Sequence, residues 1–166
     1  MRTDSLKPNL RRTILCDMRK LLPLVGVVLL LSACATLPVA QREARIERLL
    51  DGLNEEGLEE VLPATGSPFL LDREILILDR DIETMWTNLR KVGFSFAEYE
   101  IRSVEPVEEE SFRRFGTSMD VETYFSKYLP EGAAVVSVDT RHGSFLLLTG
   151  GKVAGAPQLY GMRGPM

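Results

Sequence analysis

AAVVSVDTRHGSFLLLTGGKVAGAPQLYGM, residues 133–162, is the stretch that decides the fold. It reads as a strand over 133–139, a turn at Thr140-Arg141-His142-Gly143, and a second strand over 144–149. A Gly-rich link over 150–156 leads to a last strand at 157–162. Strands joined by links this short pair antiparallel, because a parallel pair needs a crossover of about a dozen residues or more.

Upstream of this unit, Ser118 is placed to cap a helix over 119–129, with Val121, Tyr124, Phe125, Tyr128 and Leu129 on one side. The acidic segment 105–116 reads as irregular. Residues 94–104 read as a strand whose apolar parity changes from Phe94/Phe96 to Tyr99/Ile101, which predicts a β-bulge near Ala97-Glu98. Before it, Asp79 or Asp81 caps a helix over 80–92 with Ile82, Met85, Trp86, Leu89 and Val92 on its buried face and Gly93 as the C′ residue. FLLDREILIL, residues 69–78, is too short and too rich in apolar pairs for a surface helix. It reads as two short strands turning near Asp72-Arg73-Glu74. Ala64-Thr65-Gly66-Ser67-Pro68 has loop chemistry. Two helices come first, over 41–53 (Ile46, Leu49, Leu50, Leu53 at i, i+3, i+4, i+7) and 55–62, the second stopped by Pro63.

Helices first, one in the middle and strands at the end make an α+β layout: N-terminal helices packed on a curved antiparallel sheet. The double helix at 41–62, the Pro68-Phe69-Leu70-Leu71-Asp72 turn-in and the final strands FLLLTGGKVAGAPQLYGM resemble the NTF2-like, cone-shaped α+β superfamily. The helix at 119–129 departs from that pattern.

The chain start has a separate logic. Met18 to Cys34, MRKLLPLVGVVLLLSAC, has two basic residues (Arg19, Lys20), an uncharged run from Leu21 to Leu31, and small residues before Cys34. That is the layout of an export signal. Leu31-Ser32-Ala33-Cys34 resembles the lipobox of bacterial lipoproteins. The resemblance implies that Cys34 takes a thioether-linked diacylglycerol, that Leu31, Ser32 and Ala33 are read by the signal peptidase, and that the mature, usually N-acylated chain starts at Cys34. Residues 1–33 are then a signal peptide, with 1–17 an upstream extension if translation starts at Met18. Residues 34–40 form a lipidated tether of roughly 20 Å reach, and 41–166 a single extracytoplasmic domain. The competing reading is an uncleaved anchor, since 21–40 are uncharged over a bilayer-spanning length. Either way Arg19 and Lys20 hold the leader's start inside and send the domain out. Ala35 after the lipidated Cys favours, by the same resemblance, the outer membrane facing the periplasm in an organism with two membranes.

Charge supports the division. Residues 34–166 hold 22 acidic and 14 basic side chains, net −8, so the domain has no basic footprint for nucleic acid and is repelled by anionic lipid. The two cysteines, Cys16 and Cys34, leave the mature domain without a free thiol or a disulfide.

No residue pattern names a reaction. His142, the only histidine, sits in a predicted turn without partners for catalysis. Asp79-Arg80-Asp81-Ile82-Glu83 lacks the further acid, Gly and distal Glu of a Ca²⁺ loop. Glu108-Glu109-Glu110 reads as a solvated loop, and Gly150-Gly151-Lys152 lacks the Ser/Thr of a P-loop. No metal site, cofactor or catalytic set is expected. Trp86, Phe96, Tyr99 and Tyr124 are the candidates for an apolar ligand pocket. The chain therefore reads as an envelope lipoprotein with a small non-enzymatic binding or structural domain, its partners the membrane through Cys34 and either a small apolar ligand or an envelope protein. The alternatives are a signal-anchored subunit of an envelope assembly, or an NTF2-like isomerase or cyclase. The enzyme requires Asp72 or Asp139 to be buried in a cavity beside a tyrosine hydroxyl; both are expected as exposed turn residues.

Overall fold

The computed structural model describes residues 39–54, 57–150 and 156–166. The leader, the lipobox Leu31-Ser32-Ala33-Cys34, the tether up to residue 38, residues 55–56 and most of the Gly-rich link fall outside them. Among the described residues no helix is long and apolar enough to cross a membrane.

The architecture is mixed α and β. Helices α1 (Val39–Leu53) and α2 (Leu58–Val61) lead into a hairpin of β1 (Thr65–Leu71) and β2 (Glu74–Leu76). Helix α3 (Asp79–Lys91) follows, then β3 (Glu100–Pro106), a 3₁₀ turn at Ser111–Arg114 and α4 (Met119–Lys127). Strands β4 (Ala134–Thr140), β5 (Gly143–Gly150) and β6 (Gln158–Arg163) complete the chain. The six strands form one sheet in the order β2-β1-β6-β5-β4-β3.

The β4–β5–β6 unit pairs antiparallel as its short links dictate, with a tight turn at Arg141-His142 between Thr140 and Gly143. The sheet is not wholly antiparallel, however. β1 lies parallel to β6, aligning Leu70 with Gly161 and Leu71 with Met162. That pairing joins segments about ninety positions apart, with most of the chain as the crossover that parallel strands need.

Both faces of the sheet are covered, because strand side chains alternate between them. On one face Phe69, Val136, Val138, Phe145, Leu147, Leu159 and Met162 pack with Ile46, Leu49, Leu50 and Leu53 of α1 and Ile82, Met85 and Trp86 of α3. On the other, Leu70, Val135, Leu146 and Leu148 pack with Phe115 and with Val121 and Tyr124 of α4.

Local expectations hold where local chemistry governs. Ser118 is the N-cap of α4, its Oγ accepting from the Val121 N–H at 3.4 Å. Gly93 has φ +74 after α3. Its N–H donates to the Arg90 carbonyl at 2.9 Å and the Phe94 N–H to the Leu89 carbonyl at 3.0 Å, the two bonds of a Schellman stop.

Five expectations are corrected. Residues 94–99 are irregular rather than strand; Phe94 and Phe96 are both drawn to the core, T-shaped at 5.0 Å, which strand alternation also permits but the positive φ of Glu98 ends. The bulge falls at Arg102, between the pairs Ile101–Val138 and Ser103–Ser137. Neither Asp79 nor Asp81 caps α3: Leu78 is its N-cap, and both acids lie in the first turn, where the helix dipole favours them. Residues 65–68 belong to β1, with a register shift against β6 before Leu70. Val92 (78% exposed) and Tyr128 (48% exposed) lie off the buried faces of their helices.

Candidate functional site

The site is built from two turns and the end of a strand that the fold ties together. Asp72, at φ 53, turns β1 into β2 and is bound to the end of β6: its N–H donates to the Met162 carbonyl at 2.7 Å and its Oδ1 accepts from the Gly164 N–H at 3.1 Å. This fixes Arg73, on the turn, near Arg163, at the end of β6. A guanidinium N–H of Arg163 in turn donates to the Arg114 carbonyl, tying β6 to the 3₁₀ turn that carries Arg113. Gly116 is buried beside them; a Cβ there would stand 3.5 Å from Cγ of Arg73 and 3.3 Å from Cγ2 of Val121. The glycine thus lets the Arg73 stem and α4 close on the same piece of backbone.

The result is a cleft of about 350 Å³ lined by Arg73, Arg113, Gly116, Thr117, Ser118 and Arg163. Its lining includes three arginines and no acidic residue. Arg113 pairs with Glu110 at 2.9 Å on the exposed side. Among the described residues no carboxylate forms an ion pair with Arg73 or Arg163. Planar, permanently charged guanidinium forks are suited to grip an oxyanion through paired N–H donors.

The sequence candidates sit elsewhere. Trp86 and Phe96 are buried on the α1–α3 face and Tyr124 on the α4 face, so the sheet stands between them. Trp86 Nε1 donates to Thr65 Oγ1 at 2.9 Å, and that hydroxyl donates to the Val61 carbonyl at 2.9 Å, so both buried polar groups are satisfied. The Tyr124 hydroxyl lies 2.8 Å from the Pro68 carbonyl of β1 and 2.6 Å from the Tyr160 carbonyl of β6, its one proton serving both. Burial pushes its pKa up. Tyr99 is half-buried at the edge of α1; burial, then the Asp51 carboxylate 3.2 Å from its hydroxyl, then Glu47, raise it to about 12.

Asp72 is exposed, as expected. Asp139 is not a turn residue but lies in β4, about a third exposed, accepting from Ser144 Oγ at 2.6 Å and from Arg102 Nε at 2.6 Å. The Ser144 hydrogen bond, then Arg102, hold its carboxyl below the usual range. His142 is exposed in its turn, 3.2 Å from Arg141 Nε and 5.6 Å from the Phe94 ring. Asp79 accepts from Ser67 Oγ at 3.0 Å, and Asp81 meets Arg80 at 3.6 Å. Among the described residues no group of three or more His, Cys, Asp or Glu is placed to hold a metal ion.

Sequence reading missed the three arginines because they are 40 or more positions apart and share no motif. The one local hint is Arg113-Arg114 just ahead of the helix start Gly116-Thr117-Ser118. Compared with known protein families, curated proteins and solved structures, the chain matches none.

Proposed function

We propose that this chain is an envelope lipoprotein, anchored by lipid at Cys34 outside the cytoplasm, whose domain acts by binding rather than by catalysis. The observation that carries the reading is the sequence Leu31-Ser32-Ala33-Cys34 closing a basic-then-apolar leader, with the first described helix opening five residues later at Val39. A domain on so short a leash works close to its bilayer, and stable retention there takes two or more acyl chains. In a two-membrane organism, Ala35 favours the outer membrane. The α1–α3 layer ahead of the final strands supports an NTF2-like kinship for the domain.

Binding is favoured over isomerase or cyclase chemistry by where the carboxylates stand. Asp72 spends its Oδ1 on a backbone N–H and Asp139 is committed to Ser144 and Arg102, neither beside a tyrosine hydroxyl in a cavity. Intact mass of the membrane-extracted protein tests the anchor. A diacylglycerol-bearing product that starts at Cys34, lost in Cys34→Ser, is expected. An unmodified chain that retains residues 21–33 would overturn lipidation and leave the uncleaved anchor.

A further inference from the structure

The cleft between the β1–β2 turn, the 3₁₀ turn and the end of β6 goes beyond the anchoring reading and does not depend on it. Residues 34–166 carry eight more acidic than basic side chains, yet here three arginines from three separate elements converge and no carboxylate enters the lining. Like charges brought together cost free energy unless something of opposite sign joins them. Two arginines outside the cleft do have carboxylate partners: Arg102 meets Glu100 and Asp139, and Arg114 meets Glu105. Only Arg113 of the three has such a partner, in Glu110 on the outer side.

The arrangement is also held in place. Asp72 pins the Arg73 turn to Gly164, and Arg163 is fixed by its bond to the Arg114 carbonyl. A backbone already folded into one corner leaves only the Arg73 and Arg113 side chains to be ordered when a ligand binds. Thr117 and Ser118 stand at the same rim, and Ser118 Oγ, which accepts from the Val121 N–H, keeps its own O–H as a donor. Asp72 and Glu74 flank Arg73 in the sequence, and Asp120 and Glu122 lie in the first turn of α4, but none of the four lines the cleft.

We propose that the cleft of Arg73, Arg113 and Arg163 holds a phosphate-class oxyanion. A compact, doubly charged tetrahedral group presents several oxygens at once, which three forks from three directions can each meet with paired N–H donors. The phosphate can belong to a soluble molecule or to a lipid headgroup, and the chemistry recognised is the same.

Titration of inorganic phosphate into the purified full chain in nonionic detergent, at fixed ionic strength held with chloride, tests the proposal by calorimetry. Saturable one-site binding is expected, weakened about tenfold or more by Arg73→Gln and by Arg113→Gln. Both side chains are exposed, so unchanged thermal melts should show that the fold survives. Arg163→Gln is the less useful variant, because it also cuts the tie to Arg114. Short-chain phosphatidic acid in the same micelles separates the sources: a midpoint below that of inorganic phosphate assigns a lipid headgroup, and one equal or above assigns a soluble phosphate. No saturable binding of either probe, or binding that both arginine variants leave unchanged, would overturn the proposal.

Discussion

On one face of the sheet, three helices lay Ile46, Leu50, Leu53, Val61, Ile82 and Trp86 over the strands; on the other, a single α-helix of nine residues brings Val121 and Tyr124. The first face also recruits Phe94, Phe96 and Phe145, whose rings meet edge to face at 5.0–6.2 Å, and its buried polar atoms are spent on one another through Trp86, Thr65 and Val61. The second face buries a smaller cluster, and the 3₁₀ turn Ser111–Arg114 contributes Phe112 to it. At that turn the arginine cleft opens. The difference teaches where binding can be sited: an amply covered face is committed to stability, while a face closed in part by a turn leaves polar side chains free to gather.

The comparison breaks most readily at Trp86. Trp86→Ala removes a fully buried ring and the N–H that Thr65 Oγ1 accepts, and should cost about 3–5 kcal/mol in denaturant unfolding. A loss under about 1 kcal/mol would mean that the three-helix face is not the stability-bearing one. On the second face, Tyr124→Phe keeps the ring and removes only the hydroxyl shared by the Pro68 and Tyr160 carbonyls, for an expected loss of about 1–2 kcal/mol. Ser118→Ala should lose about 1 kcal/mol by leaving the Val121 N–H uncapped, and should loosen the helix that borders the cleft.

Two pH effects are smaller and sharpen the contrast at its edges. Tyr99 titrates near 10 unfolded and about 12 folded, so its neutral form stabilises the fold below pH 10 and that contribution fades as pH rises through 12. Tyr99→Phe should flatten the melting curve's dependence on pH between 10 and 12. Asp139 has the opposite sign. Its depressed folded pKa gives a contribution that is present at neutral pH and lost as pH falls through that value, and Asp139→Asn should remove this acid-side slope.

How much of this was legible in the sequence follows from the range of the interactions. The 3.6-residue spacing of Ile46, Leu49, Leu50 and Leu53, the cap at Ser118, the stop at Gly93 and the hairpin around Arg141-His142 are set within a few residues, and each could be read directly. The parallel pairing of β1 with β6 depends on partners about ninety positions apart, which no local pattern encodes. Residues 94–96 alternate like a strand, but the Phe94 N–H donates to the Leu89 carbonyl and the Phe96 N–H to Asn54 Oδ1 instead of to a neighbouring strand. The aromatic candidates read as pocket lining, whereas Trp86, Phe96 and Tyr124 are core and Tyr99 is half-buried; which side of the sheet each would take was not legible. The arginine cleft is the extreme case, since it exists only after two turns and a strand end, far apart in the chain, have been brought to one corner.

Backbone amide NMR of the chain with and without inorganic phosphate tests most directly the claim that one face is sealed and the other carries the site. Shift changes confined to Arg73 and Glu74, to Arg113 through Ser118, and to Arg163 and Gly164, with the amides of α1 and α3 unmoved, are the predicted result. Changes centred on α3 and residues 94–96, or no changes at all, would contradict it.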